Sequence, residues 1–349
     1  MSAASPGPAN YLFLGGFRLT LAVLVFVAHC EQVALLRDHI LWGGVGVWLF
    51  YAVSGYVILS AHEIFYRGKP GAFAVNRALR IYPLLWVCLA LGCAQVLVTG
   101  GPELDHWGLR QAVLAASVIG GFADGYAWAP LAPAATLSVE AQFYVASAVA
   151  VMLAERAGRR RGPVLFALGL GFLAAYVLIE ATHSHYRFFG SLRWSPLFML
   201  GASVFYAQRN RFRGAPLVLV LLSLAESVHL LLSLSSPSAY APFALEPTRV
   251  NSLLLFLALM ALMVALIQVR IPRSLHDGDI LAGDLTYPLY LVHVPLIALM
   301  DYAFGWGSHG GWGPFAAELA VCLVAAWGLH RLVEQPFAAL RRRWRGVAL

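Results

Sequence analysis

Apolar runs of about 20 residues alternate with short polar segments along almost the whole chain, and a helix of that length can cross a bilayer. The pattern predicts about ten membrane-spanning helices. Their predicted limits are 12–33, 42–61, 81–99, 134–155, 163–182, 194–208, 215–235, 250–269, 284–304 and 313–333. The sixth run is short, so this helix is expected to be tilted or partly buried. The apolar stretch 107–123 is too short to cross and predicts a re-entrant helix or one on the outer face.

Composition supports the same fold class. About 60% of the residues are hydrophobic and 12% are charged, whereas soluble domains carry roughly 25% charged residues. Too few charges remain to cover a water-facing surface, so membrane lipid is expected to cover much of it. We therefore predict an all-α polytopic membrane helix bundle. One domain is expected to fill residues 1–349, with a core at about 12–337 and no appended soluble domain.

The distribution of basic residues predicts the topology. The net charge of +7 comes almost wholly from arginine, because Lys69 is the only lysine. Clusters of basic residues fall after the even-numbered spans, at 67–80, 156–161, 209–213, 270–273 and 341–345. The opposite loops hold only Arg37, Arg110, Arg187, Arg193 and Arg249. This asymmetry predicts that both termini are cytoplasmic. Clusters confined to such short loops indicate topology, not nucleic-acid binding.

The cysteines and the N-terminal residues argue against disulfides, a metal site and a cleavable signal peptide. The four cysteines, Cys30, Cys88, Cys93 and Cys322, lie in or beside apolar runs without a C-x-x-C spacing. They are interpreted as packing residues, and no disulfide or metal site is expected. The leading residues 1–10 carry no positive charge, and Arg18 interrupts the first apolar run. No cleavable signal peptide is therefore expected.

Charged and polar residues inside a membrane are costly, so each is a functional candidate. Arg18 and His29 are eleven residues apart in the first span, which is almost three helical turns, so both project from one face. Glu140 in the fourth span falls at about the depth of His29. A carboxylate that accepts a hydrogen bond from an imidazole fixes its tautomer, although Glu140 could instead pair with an arginine. The plain alternatives are a snorkelling Arg18 and a hydrogen-bonded core histidine.

Six further residues have a structural interpretation beside a functional one. Arg77 and Arg80 lie one turn apart at the start of the third span, where paired guanidinium groups could bind phosphate or simply anchor the helix. Ser54 follows a glycine-rich stretch that could serve helix packing alone. His293 lies in the ninth span. His330 and Glu334 form an i, i+4 pair in the tenth, where bracing or support of a donor site is favoured over direct chemistry.

At these positions the chain resembles the membrane acyltransferase-3 family, which O-acetylates bacterial polysaccharides, lipopolysaccharide and other glycans. The matching elements occur in family order over about residues 12–337. They are GGFR at 15–18 followed by His29, LFYAVSGYVI at 49–58, RALRIYP at 77–83, LSVEAQFY at 137–144, YLVHVP at 290–295 and VEQP at 333–336. Each element alone is weak evidence, but six in order on a matching topology are specific.

The resemblance implies a membrane-bound O-acyltransferase of the bacterial inner membrane that uses cytoplasmic acetyl-CoA as its donor. His29 is then the expected general base, Glu140 its orienting partner and Arg18 a support for donor or oxyanion charge. An acetyl-histidine intermediate is equally open. The residues expected to bind the donor are Arg77, Arg80, Arg18, Ser54, Tyr144, His293 and Glu334. The expected acceptor is a carbohydrate or lipid-linked glycan, such as an exopolysaccharide precursor.

Other functions stay open at this point. A transporter or glycan flippase also needs many spans and intramembrane charge, but it would move a solute without consuming an acyl donor. A structural or regulatory membrane protein would not bind CoA. The sequence also leaves open whether succinyl or another short acyl group replaces acetyl, which leaflet holds the acceptor, and whether the chain forms a homo-oligomer.

Overall fold

The computed structural model describes residues 14–30, 39–119, 125–158, 161–182, 190–233, 247–269, 272–306 and 311–344. The ends of the first predicted span (12–13 and 31–33), the end of the seventh (234–235) and residues 120–123 lie outside these ranges. So do several of the basic residues used to predict topology: Arg37, Arg159, Arg160, Arg187, Arg270 and Arg345.

The described chain is a bundle of helices, 89% helical and without strands in the ranges above. The helices are α1 Gly15–His29, α2 Trp42–Ile64, α3 Pro70–Thr99, α4 Leu109–Ala116, α5 Ala135–Arg156, α6 Arg161–Thr182, α7 Ser195–Arg209, α8 Ala215–Ser233, α9 Pro247–Leu266, α10 His276–Phe304, α11 Trp312–Leu329 and α12 Gln335–Trp344. A π-helical turn, His330–Glu334, joins α11 to α12. The predicted all-α polytopic class is confirmed.

Eight helices of the described chain are long and apolar enough to cross a membrane: α2, α3, α5, α6, α8, α9, α10 and the continuous α11–α12 segment. The helices at the first and sixth predicted spans, α1 and α7, each have 15 residues. The ten-span count and the cytoplasmic termini remain predictions. The short α4 has eight residues, which agrees with a segment that does not cross.

Four helices form the centre of the bundle: α1 packs on α10 and α2, and α2 packs in turn on α7. In the most apolar stretch of α2, 67% of the residues are buried, compared with 17% in α6. Helix α7 is buried along almost its whole length, from Ser195 to Phe205 and at Ala207. The prediction that the sixth helix is short and partly buried is confirmed. Peripheral helices such as α6 are left to face lipid.

Small residues allow the central helices to approach closely. A side chain on Gly55 of α2 would collide with the carbonyl of Phe198 in α7, and one on Gly201 would collide with the carbonyl of Ala52. Each glycine therefore admits backbone from the opposite helix, as is common between membrane helices. The packing interpretation of the glycine-rich second span is correct for Gly55.

The start of α1 is fixed by α10. The backbone N–H groups of Gly15 and Gly16 donate to the two carboxylate oxygens of Asp279, at 3.1 and 2.7 Å. The first N–H groups of a helix have no partner within the helix, and a carboxylate there also complements the helix dipole. A side chain on Gly15 would collide with the backbone carbonyl of Asp279. This contact sets the position of Arg18, one turn further along α1.

Candidate functional site

A cavity of about 470 Å³ opens between α1, α2, α3, α5, α10 and α12. Its charged lining residues are Arg18, Arg77, Arg80, Arg341, Arg342, Glu140 and Asp284. Five guanidinium groups thus face two carboxylates. In a cavity with low-dielectric walls, such an excess concentrates positive potential and attracts anions. Planar guanidinium groups also match the geometry of phosphate oxygens.

Arg80 has carboxylate partners of its own. Its Nη1 lies 3.4 Å from Glu334 Oε1 and 3.9 Å from Asp284 Oδ1. The side chains of Arg80 and Glu334 are only 18% and 5% exposed. His330 Nδ1 lies 3.1 Å from the other oxygen of Glu334. The predicted His330–Glu334 pair therefore exists, inside the π-helical turn, and it links α12 and α11 to Arg80 of α3.

Arg77 and Arg18 differ from Arg80. The guanidinium of Arg77 lies over the rings of Phe73 and Tyr144, with its central carbon 5.3 and 5.8 Å from the ring centroids. Its buried Nε makes no hydrogen bond. Arg18 makes no hydrogen bond or ion pair with the described residues. Unlike Arg80, these two arginines are available to an anion in the cavity.

Glu140 is held in the cavity wall by two hydroxyl groups. Ser54 Oγ donates to Glu140 Oε1 at 2.5 Å, and the Tyr144 hydroxyl donates to Oε2 at 2.9 Å. Tyr144 is one helical turn from Glu140, and Ser54 reaches it from α2. The structure thus brings together three of the predicted site residues, Glu140, Ser54 and Tyr144, beside Arg77 in one wall.

A histidine pair lies at the far end of α1 from Arg18. His29 Nδ1 is 2.9 Å from the carbonyl of Val25 and 3.3 Å from Nε2 of His293. His293 Nδ1 is 3.1 Å from the carbonyl of Leu289. His29 is exposed, whereas His293 is 0% exposed. The imidazole of His29, the last residue of α1, is therefore accessible, and the buried His293 contacts it on its inner side.

Tyr290 connects the cavity with the histidine pair. Its side chain lines the cavity, and its ring centroid is 6.3 Å from that of His293. The Tyr290 hydroxyl is 2.8 Å from Thr136 Oγ1, and Phe50 packs edge-on against its ring. Tyr290 therefore lies between the arginine-lined cavity and the histidines, neither of which is among the residues that line the cavity.

The family assignment follows from a match of almost the whole chain. A family model described as an acyltransferase domain, that of the acyltransferase-3 family, matches residues 11–331. The chain belongs to the acyltransferase-3 family. No curated protein and no solved structure matches it significantly. The resemblance found in the motifs is confirmed, and with it a multi-pass membrane acyltransferase.

One expected contact of this acyltransferase needs correction. Glu140 was predicted to orient His29, but its two oxygens accept hydrogen bonds from Ser54 and Tyr144. The partner of His29 is His293. The physical reason is helix packing: α1 lies against α10, which carries His293. His293 was predicted to bind the donor, and the structure places it against the candidate base.

Several residues in and around the candidate site were not predicted from the sequence. Arg341 and Arg342 line the cavity, although the C-terminal arginines were interpreted only as a topology signal. Asp284 was not singled out, and nor was Asp279. Cys30 follows His29 directly but donates its thiol to Glu318, at 3.4 Å. An acidic residue in the first turns of a long apolar helix was the one available signal for Asp279 and Asp284.

Proposed function

We propose that this chain moves an acetyl or other short acyl group from acyl-CoA to a hydroxyl of a bacterial glycan, such as an exopolysaccharide or its lipid-linked precursor. The observation that carries the proposal is the arrangement along α1. A cavity rich in arginine lies at the Arg18 end, and an accessible imidazole, His29, lies at the other. At 1.5 Å per residue the two ends are roughly 16 Å apart, which suits an elongated donor.

The donor would bind with its phosphates among the arginines. Arg77 and Arg18, which have no carboxylate partner among the described residues, are the proposed phosphate ligands. Arg341 and Arg342 extend the same positive surface. The pantetheine arm would run along α1 and bring the thioester past Tyr290 to the histidines. We therefore assign Arg80 and Glu334 mainly to holding the cavity together.

The chemistry follows from what an imidazole can do. In direct transfer, His29 accepts the proton of the acceptor hydroxyl while the hydroxyl oxygen attacks the thioester carbonyl. The new C–O bond forms, the C–S bond breaks, and the departing CoA sulfur receives the proton from His29. In the alternative, His29 attacks the thioester first, and the C–S bond breaks to release CoA as a thiolate. The acceptor hydroxyl oxygen then takes the acyl group from His29, and its proton neutralises the thiolate. Glu140, held by Ser54 and Tyr144, shapes the donor side of the path.

The test uses purified protein in lipid nanodiscs with acetyl-CoA and a glycan extract from the host cell surface. The wild type should release free CoA thiol and leave an acetyl ester detectable by mass spectrometry. His29→Ala should reduce the rate by at least about 100-fold, the usual contribution of a general base. His229→Ala is the matched control, because His229 is hydrogen-bonded to Tyr176 at 2.8 Å and does not line the cavity. Undiminished transfer by a folded His29→Ala protein excludes His29 from the reaction.

A further inference from the structure

We propose that His293 is a positioning residue that fixes the tautomer of His29, so that Nε2 of His29 is the nitrogen that takes part in acyl transfer. The inference rests on the proposed function for the role of His29, but the tautomer itself follows from geometry. It gives the buried histidine of α10 a task that a carboxylate performs in many hydrolases.

The first step is the protonation of His293. Its Nδ1 lies 3.1 Å from the carbonyl oxygen of Leu289, one turn earlier in α10. A carbonyl oxygen only accepts hydrogen bonds, so Nδ1 carries the hydrogen. In a neutral imidazole the other nitrogen, Nε2, then holds a lone pair. His293 therefore presents an acceptor to its neighbour.

The second step is the protonation of His29, which follows from the same argument. Its Nδ1 lies 2.9 Å from the carbonyl of Val25 and 3.3 Å from His293 Nε2. Both partners are acceptors, so Nδ1 of His29 carries a hydrogen that the two share. Its Nε2 is then left with the lone pair. Either proton abstraction or attack on the thioester needs a nitrogen in that state.

The surroundings of His293 hold it rigidly. It is fully buried, its ring lies 6.3 Å from those of Phe26 and Tyr290, and its own helix supplies the Leu289 carbonyl. When His29 gains a proton at Nε2, the positive ring still donates from Nδ1 to two acceptors. His293 thus supports both the neutral and the charged form of the ring, with no rearrangement during the reaction.

The experiment compares two substitutions of His293. His293→Phe keeps a ring of similar size but has no acceptor, and His293→Gln offers an amide oxygen at about the reach of Nε2. We expect His293→Phe to lower kcat by about 10- to 100-fold with little change in the KM for acetyl-CoA. Loss of tautomer control costs up to about 10⁴-fold in a serine protease, but here the Val25 carbonyl remains. His293→Gln should recover most of the rate, and His229→Phe should behave as wild type.

The outcomes separate this inference from the proposed function. If His29→Ala is inactive while His293→Phe is fully active, the function stands and the positioning role is wrong. If His293→Phe and His293→Gln both lower kcat and raise the KM for acetyl-CoA to a similar extent, His293 serves only in packing. A readout independent of activity is ¹⁵N NMR of histidine-labelled protein, with the His29 signals assigned by His29→Ala. The wild type should show hydrogen on Nδ1 of His29, and a mixture of tautomers in the wild type would overturn the inference.

Discussion

The two ends of α1 differ in the groups that surround them: charged side chains at one end and hydrogen-bonded imidazoles at the other. At the Arg18 end, five arginines and two carboxylates line an open cavity, and Arg80 is partly neutralised by buried Glu334. At the His29 end, one hydrogen-bonding contact joins the two imidazoles. Each imidazole also contacts a backbone carbonyl of its own helix. One end carries an excess of positive charge that attracts anions, and the other holds the accessible imidazole of His29 by hydrogen bonds.

Under the proposed function, this difference assigns donor binding to one end of α1 and the chemical step to the other. Changes among the arginines should alter donor affinity or the stability of the bundle, whereas changes at the histidine pair should alter kcat. Because α1 is one continuous helix between the two ends, a change in its placement should disturb both. Three substitutions test these expectations.

The largest effect is expected from Arg80→Ala. Removing one partner of a buried ion pair leaves an uncompensated charge and costs roughly 3 kcal/mol of unfolding free energy. Glu334 is 5% exposed and also bonds His330, so it cannot turn to water. We expect a large fall in thermal stability in detergent and little protein in the membrane.

The matched control is the double variant with Glu334→Gln. Removing both charges should restore much of the stability, because the cost lies mainly in the unpaired carboxylate. If Arg80 mainly braces the cavity, the double variant should also bind acetyl-CoA nearly as well as wild type. A stable double variant that fails to bind acetyl-CoA would instead make Arg80 a donor ligand equal to Arg77.

A smaller and more selective effect is expected from Arg77→Ala. A charge-assisted hydrogen bond contributes about 1.5–3 kcal/mol, so the KM for acetyl-CoA should rise by about tenfold or more while kcat stays close to wild type. The cation–π contacts with Phe73 and Tyr144 make Arg77→Lys an incomplete rescue. Arg211→Ala, an exposed arginine after α7, is the control. A fall in kcat with unchanged KM would contradict the division between the two ends.

The elements and the arginine end were largely predictable from the sequence. Apolar runs are long and repetitive, so their helices could be located, but α3 begins at Pro70 and α10 at His276, 11 and 8 residues before the predicted starts at 81 and 284. Arg77 and Arg80 are one turn apart in one helix, and residues within a helix have fixed relative positions. What spacing could not supply was the difference between them, because Asp284 and Glu334 reach Arg80 from other helices.

The histidine end was only half predictable. Counting residues from the membrane surface placed His29 and Glu140 at a similar depth, but depth carries no information on which helices are neighbours. Helix α1 packs on α10, and so His293 meets His29 while Glu140 meets Ser54. Contacts between helices far apart in sequence depend on packing details, such as the close approach at Gly15, that an apolar pattern does not encode.

The smallest effect is expected from Asp279→Asn, at the contact that places α1. The asparagine keeps one oxygen for Gly15 or Gly16 but turns an NH₂ group toward the other N–H, and it removes a charge that complements the helix dipole. The cost should be about 1 kcal/mol, seen as a fall of a few degrees in the melting temperature. Arg18 and His29 move together when α1 shifts, so a modest rise in the KM for acetyl-CoA should accompany a modest fall in kcat. That joint change distinguishes Asp279 from Arg77 and His293, each of which should alter one parameter alone. If Asp279→Asn changed only KM, the start of α1 would be adjusting Arg18 without moving His29, and the helix could not be the rigid link between the two ends.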